Sequence, residues 1–237
     1  MKTIGLIGGT SWVSTVEYYK LLNQLTTKRL GGINTAKILL YSLNLSEFKA
    51  VLDTGNVLLL EQMLAEVALK LEAAGADCIL LCGSTQHLAA NEVQKRINIP
   101  IIHIAEVTAI EIEKKKISKV ALLGTRFTME DFFFKDPLSR CGIETLIPDY
   151  DDREYIHTGI FTELAKGIFR EETKKRFLLI IDDLIDKGAE GVIFGCTEIP
   201  MFISQADCSI PTFDTTFIHA SAAVNFAIAD VEVLSYV

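Results

Sequence analysis

The sequence predicts an α/β protein built from two like halves, and three observations carry that expectation. Short apolar runs alternate with longer amphipathic stretches along all 237 residues, the pattern of βαβ units wound around a parallel sheet. A glycine-led strand motif occurs twice. The strand runs also end in small or polar residues. The expected architecture is two similar three-layer domains with mainly parallel four-stranded sheets, related by a pseudo-two-fold axis.

The elements follow in order. Thr3–Gly8 reads as a buried first strand; Gly8-Gly9 turns the chain, and Ser14-x-x-Glu17 is a capping-box match for a helix running toward Leu30. Ala36–Leu43, rich in Ile and Leu, is the second strand, and Leu45–Gly55 reads as a connecting loop. Val57–Ala74 is strongly helical and leads into a strand at Cys78–Cys82. Further strand-like runs lie at Ile99–Ile102, Val120–Gly124, Glu144–Ile147, Val192–Gly195 and Ile210–Phe213, with helical patterns between them.

The duplication is read from aligned segments. Gly75–Thr85 matches Gly188–Glu198 without a gap at an offset of 113 residues, and Asn98–His103 matches Ser209–Asp214 at 111. Thr3–Gly9 matches Lys119–Thr125 more loosely at 116. The expected domains are residues 1–103 with 215–237, and residues 104–214. Ligands of open α/β sheets collect beyond the carboxyl ends of the strands, so a cleft between two such halves is the expected site. Helix N-termini converging there would suit a carboxylate. Gly8-Gly9 is not part of a G-x-G-x-x-G fingerprint, which excludes the dinucleotide reading.

Composition narrows the class. Hydrophobic content of 49% with 23% charged residues is that of a globular chain. A net charge of −8 argues against a nucleic-acid partner. No apolar run approaches the roughly 18 residues that suggest a membrane span, and the glycine-broken start is too short for a signal peptide. Five cysteines without a C-x-x-C spacing describe neither a disulfide framework nor a zinc site. Reduced thiols in the cytoplasm are expected, with no metal.

Cys196, in Gly195-Cys196-Thr197-Glu198 at a strand-to-helix turn, is the strongest candidate catalytic group. A helix N-terminus there is expected to lower its pKa and favour the thiolate. The turn residues Gly9, Thr10, Gly83, Ser84 and Thr85 in the first half are candidate substrate contacts. Thr125, Thr128, Thr197 and Glu198 are the candidates in the second, where Thr128-x-x-Asp131 is another capping match. His103 and Asp214 are equivalent under the repeat and are candidate acid/base partners; His157 and His219 have no informative spacing.

Met1–Trp12 (MKTIGLIGGTSW), Leu81–His87 (LCGSTQH), Leu122–Met129 (LLGTRFTM) and Gly195–Ile199 (GCTEI) together resemble the aspartate/glutamate racemase family. The resemblance implies a racemase of acidic amino acids that uses no cofactor, in which two thiols flank the substrate α-carbon. It also implies a homodimer, and a lysine near the substrate to which Lys166 is similar. The first half departs from the pattern: where the family has C-N-T-x-H, this chain reads Gly83-Ser84-Thr85-Gln86-His87. Cys82 precedes the vacant position. Under the repeat, however, Gly83 aligns with Cys196, and a one-residue slip along a strand reverses the side chain's face. Cys82 is therefore a second catalytic candidate only if a bend at Gly83 re-aims it; a hydroxyl such as Ser84 or Thr85, or water, is the alternative for the base opposite Cys196. The expected function is PLP-independent racemisation of aspartate or glutamate, slow or biased in direction. The alternatives are a one-thiol isomerase or lyase of small dicarboxylates, and an inactive carboxylate-binding homologue.

Overall fold

The computed structural model of the chain describes residues 1–231. It divides into two compact units: Met1–His103 with the chain from His219 onward, and Ile104–Ile218.

In unit 1, β1 (Thr3–Gly8) is the central strand of a three-stranded parallel sheet, flanked by β2 (Lys37–Ser42) and β3 (Cys78–Leu81). Each crossover is helical: α1 (Trp12–Leu30) joins β1 to β2, and α2 (Leu45–Asp53) with α3 (Val57–Ala73) joins β2 to β3. A 3-10 turn (Ser84–Ala89) and the short α4 (Ala90–Gln94) follow β3. Strand alternation sends Ile7, Ile79 and Leu81 into one core layer with Leu60, Leu64 and Leu71 of α3. Ile4, Leu6, Cys78, Leu80 and Cys82 enter the opposite layer, with Tyr18, Leu22 and Leu25 of α1. Burial on both faces explains why β1 and β3 read as continuous apolar runs.

Unit 2 repeats this plan. α5 (Ile104–Lys114) leads to β4 (Lys119–Leu123), and α6 (Arg126–Glu130) and α7 (Phe132–Arg140) lead to β5 (Glu144–Leu146). α8 (Tyr150–Thr162) and α9 (Glu171–Asp186) then lead to β6 (Gly191–Phe194), which precedes β7 (Thr212–Asp214). The sheet order β5-β4-β6-β7 is parallel throughout. Ala121, Leu123, Val192 and Phe194 pack with Ile156 and Ile160 of α8 and Phe177 and Ile180 of α9. Val120, Leu122 and Ile193 pack on the other face with α5 and α7. The last helix, α10 (Thr215–Ile228), begins in unit 2 and gives Ala220, Ala223 and Val224 to unit 1's core.

Four local expectations are corrected. The fourth strand of unit 1 is a single parallel bridge, Ile79 to Ile101; Pro100 accepts from Ile79 N but has no N–H to extend the ladder. Residues 45–53 are a helix, because Asn44 Oδ1 caps Ser46 N and Glu47 N while Phe48 anchors the helix in the core. α1 is capped by Ser11, whose Oγ accepts from Ser14 N, so the capping-box match at Ser14 is displaced by one turn. Thr125, not Thr128, caps α6.

The turn after β1 is built tightly. Gly9 has a φ of 87°, a left-handed angle that glycine alone adopts cheaply. A Cβ there would collide with the backbone nitrogen and carbonyl oxygen of Leu43. Gly9 N donates to Thr15 Oγ1, which in turn donates to Ser11 O. Gly9→Ala is expected to destabilise the protein by about 2–4 kcal/mol through combined strain and collision, measured by urea unfolding against the parent chain.

Candidate active site

In unit 2 the site begins where β6 ends. Gly195 N still donates to Leu123 O, extending the β4 pairing by one residue. A Cβ on Gly195 would lie 2.9 Å from both Leu123 O and Thr128 Cγ2, so only glycine lets the strand pass here. Cys196 then falls on the face of Val192 and Phe194, as the two-residue period requires. Its Sγ donates to Glu198 Oε2 at 2.9 Å, and Thr197 Oγ1 donates to the same oxygen at 2.8 Å. All three side chains are buried.

This arrangement corrects the expected electrostatics. No α-helix starts at Cys196; the chain makes a 3-10 turn at Ile199–Met201. Burial, and then the neighbouring Glu198 carboxylate, push the Cys196 thiol well above its ordinary pKa. The backbone amides of Glu198 and Thr197 pull the other way and lose. The resting group is a protonated thiol with a carboxylate as its hydrogen-bond acceptor. Glu198, a candidate substrate contact, is also the immediate hydrogen-bond partner of the thiol.

In unit 1 the equivalent position is Gly83. Its N–H donates to Gln86 Oε1 at 3.2 Å, opening the 3-10 turn. Cys82 lies on the opposite face of β3, in the layer formed with Cys78, Leu80, α1 and α10, and is 1% exposed. Burial raises its pKa.

A profile of the Asp/Glu/Hydantoin racemase family matches residues 7–223. The chain belongs to that family. It is an enzyme of the racemase and isomerase class. A solved Yersinia pestis protein ascribed to the Asp/Glu racemases is 42% identical, with a TM-score of 0.90 over 96% of this chain and 100% of that one. An aspartate racemase homologue from Pyrococcus horikoshii is 35% identical, with a TM-score of 0.84 over 96% and 99%. The broad-specificity amino-acid racemase RacX of Bacillus subtilis is 24% identical over 72% of this chain and 73% of its own.

The remaining candidates of this racemase-family chain divide clearly. Thr125 Oγ1 receives Thr128 N and lies 3.1 Å from Thr128 Oγ1, so both hydroxyls serve the turn after β4. Ser84 is buried and Thr85 half-buried in the 3-10 turn after Gly83. Lys166 is exposed, in a 3-10 turn that ends at Gly167 rather than in a helix. Arg126, the cation that follows Thr125 in the chain, pairs with Glu154 at 3.4 Å. Asp214 Oδ1 accepts from Thr216 N and Phe217 N and so caps α10. Among the described residues no group of three His, Cys, Asp or Glu side chains could hold a metal, and no helix is long and apolar enough to cross a membrane.

Sequence spacing missed a histidine cluster in unit 1. His87 and His103 rings lie 4.8 Å apart, and His87 and His219 rings 5.6 Å. His219 Nε2 lies 2.6 Å from Ile102 O, a carbonyl that only accepts, so Nε2 carries the proton. Tyr18 OH therefore donates to His219 Nδ1, at 2.8 Å. Burial lowers the His219 pKa to about 4 and pushes that of His87 well below its ordinary value. Both rings stay neutral in the fold but bind a proton near pH 6.5 once unfolded. Stability is thus complete above about pH 6.5 and is lost as the pH falls toward 4. His219 alone is expected to cost about 2 kcal/mol between pH 7 and pH 5. His219→Gln should flatten that slope in urea titrations at the two pH values.

Proposed function

We propose that this chain is a PLP-independent racemase of aspartate or glutamate, with Cys196 as the group that exchanges the α-carbon proton. The observation that supports it best is the buried Cys196–Glu198 hydrogen bond. A thiol held protonated is inert until its proton leaves, and Glu198 Oε2 is already in place to accept it. The resulting thiolate removes the α-hydrogen, and the amides of Thr197 and Glu198 steady the sulfur's charge in both directions. Returning the hydrogen from Cys196 regenerates the starting enantiomer with solvent hydrogen incorporated. Inversion needs a second donor. Cys82 is left out of that role because it shares a face with the apolar residues of β3 rather than with Gly83.

Substrate carboxylates are assigned to the strand-end turns, through Gly9, Thr10, Ser84 and Thr85 in unit 1 and Thr197 in unit 2. Gly83 in place of the family's first cysteine supports a slow or direction-biased reaction. It also favours the second reading, a one-thiol isomerase or lyase of small dicarboxylates, since one nucleophile suffices for addition or single-face protonation. Five free cysteines suit the reducing cytoplasm. A homodimer is supported by exposed apolar side chains on unit 1, among them Leu40 of β2 and Val57 and Leu58 of α3; light scattering at micromolar concentration should return twice the chain mass.

Deuterium exchange at the α-carbon, followed by NMR in D2O for both enantiomers of Asp and Glu, tests the racemase reading. Wild type is expected to exchange at least one enantiomer, and Cys196→Ala none. Absence of exchange with all four would reject these substrates and turn the search to dicarboxylates. Glu198→Gln separates two effects. Losing the proton acceptor should slow exchange at least tenfold. Removing the negative charge should nevertheless lower the thiol pKa and speed Cys196 alkylation by iodoacetamide at pH 7. Faster exchange in Glu198→Gln would mean that Glu198 only suppresses the thiolate.

A further inference from the structure

Arg126 opens α6, in a turn that stands against the Cys196 turn within unit 2. The two turns meet through glycine. A Cβ on Gly124 would lie 3.4 Å from Gly195 C, and the Thr128 side chain would press on a Cβ at either position. Arg126 is two residues beyond Gly124 and Cys196 one beyond Gly195, so their Cα atoms stand no more than roughly 15 Å apart. An arginine side chain at one end, with a thiol and a small diacid at the other, covers that span. The two residues also share a layer. Cys196 packs with Met129 of α6 and with Ile156 and Ile160 of α8, and α8 is the helix that holds Arg126.

α8 holds it twice. His157 Nδ1 accepts from Arg126 N at 3.2 Å, which fixes the root of the side chain. Glu154 Oε1 accepts from Arg126 Nη1 at 3.4 Å. That contact is long and single, whereas a guanidinium fork meets a carboxylate through two parallel bonds of about 2.7–2.9 Å. Arg153, by comparison, is engaged by Glu130 Oε1 at 2.8 Å and Pro148 O at 2.7 Å. Glu154 is the one hydrogen-bond partner of the Arg126 side chain among the described residues. The Arg126 and Glu154 side chains are 43% and 33% exposed, so a solute reaches the pair from water. An ion pair in that setting contributes little to stability. Most of the five N–H donors of Arg126 are open to a second carboxylate.

We propose that Arg126 is a specificity-determining residue, its guanidinium taking the side-chain carboxylate of an acidic substrate in exchange for Glu154. This rests on the racemase reading above and names the group that makes the substrate acidic. Two carboxylates compete for one cation. A neutral amino acid has no second carboxylate to offer, so it leaves the Arg126–Glu154 pair closed. Glu154 is thus an internal competitor that weakens every ligand held by Arg126 and no other. The selection is for charge, and because the pair is exposed it weakens as salt is added.

Calorimetric titration and steady-state kinetics on the full chain test the assignment. Arg126→Gln should weaken aspartate binding at least tenfold and raise KM to match, with kcat changed less than about threefold. L-Alanine, however weakly wild type binds it, should be unaffected, and Arg126→Lys should recover part of the aspartate loss. Glu154→Gln should tighten aspartate about threefold, and that gain should vanish in Arg126→Gln/Glu154→Gln. Three outcomes would overturn the assignment: equal losses for aspartate and alanine in Arg126→Gln, unchanged aspartate binding in either single variant, or a Glu154→Gln gain that persists without Arg126. Both single variants should melt within about two degrees of wild type; should Arg126→Gln fold poorly, Glu154→Gln decides alone. If no amino acid exchanges its α-hydrogen, the racemase reading fails, and succinate decides for Arg126. Tenfold weaker succinate binding in Arg126→Gln sustains the assignment; equal binding, or none by wild type, overturns it.

Discussion

Everything at the site depends on how closely the backbone runs at the carboxyl ends of the inner strands. At Gly8, Gly9 and Gly195 there is no space for a single carbon beyond the main chain, because Thr15, Leu43 or Leu123 and Thr128 already stand there. Close packing of this kind is as unforgiving as that of a molecular crystal. It fixes where each strand stops, and therefore which residue first turns out of the sheet. On β6 that residue is Cys196. On β3 it is Gly83, and the space it leaves is taken by a neighbour's hydroxyl.

The two thiols nearest these turns show how little residue type alone decides. Cys82 and Cys196 are both buried, and burial makes both poor acids. They differ in company. Cys82 has apolar neighbours and, at 4.0 Å, the carbonyl of Leu80, so its proton has nowhere useful to go. Cys196 has a carboxylate at hydrogen-bonding distance and two backbone amides on its sulfur. The same desolvation that silences one thiol makes the other conditional on a proton transfer. Such a group need not be thiolate at rest to act as a base.

Much of this was legible in the sequence. The 113-residue repeat pairs Gly83 with Cys196, and the alternation of the core layers agrees with it residue by residue. Periodicity located most strands because β1, β3, β4 and β6 are buried on both faces. What escaped was either too short or too distant. The helix at residues 45–53 carries one buried anchor, Phe48, too few for a pattern. The capping-box match at Ser14 was real as a motif but lost to Ser11, since the tight Gly9 turn sets where α1 begins. The hydrogen bond from Cys196 to Glu198 is not legible in the sequence, because a two-residue spacing does not reveal which way a turn folds its side chains. His87, His103 and His219 come from three separate segments, and only the tertiary fold makes them neighbours.

Helix α10 carries a further consequence. Its first turn belongs to unit 2, yet Ala220, Ala223, Val224 and Ala227 cover the face of the first sheet formed by Ile4, Leu6, Cys78, Leu80 and Cys82. Unit 2 is continuous in sequence, whereas unit 1 is not. During synthesis, therefore, the half that is translated first is the half completed last. Until residues near 220 leave the ribosome, that face has only α1 to cover it, and the nascent chain must keep the remainder from other partners through the making of an entire second unit.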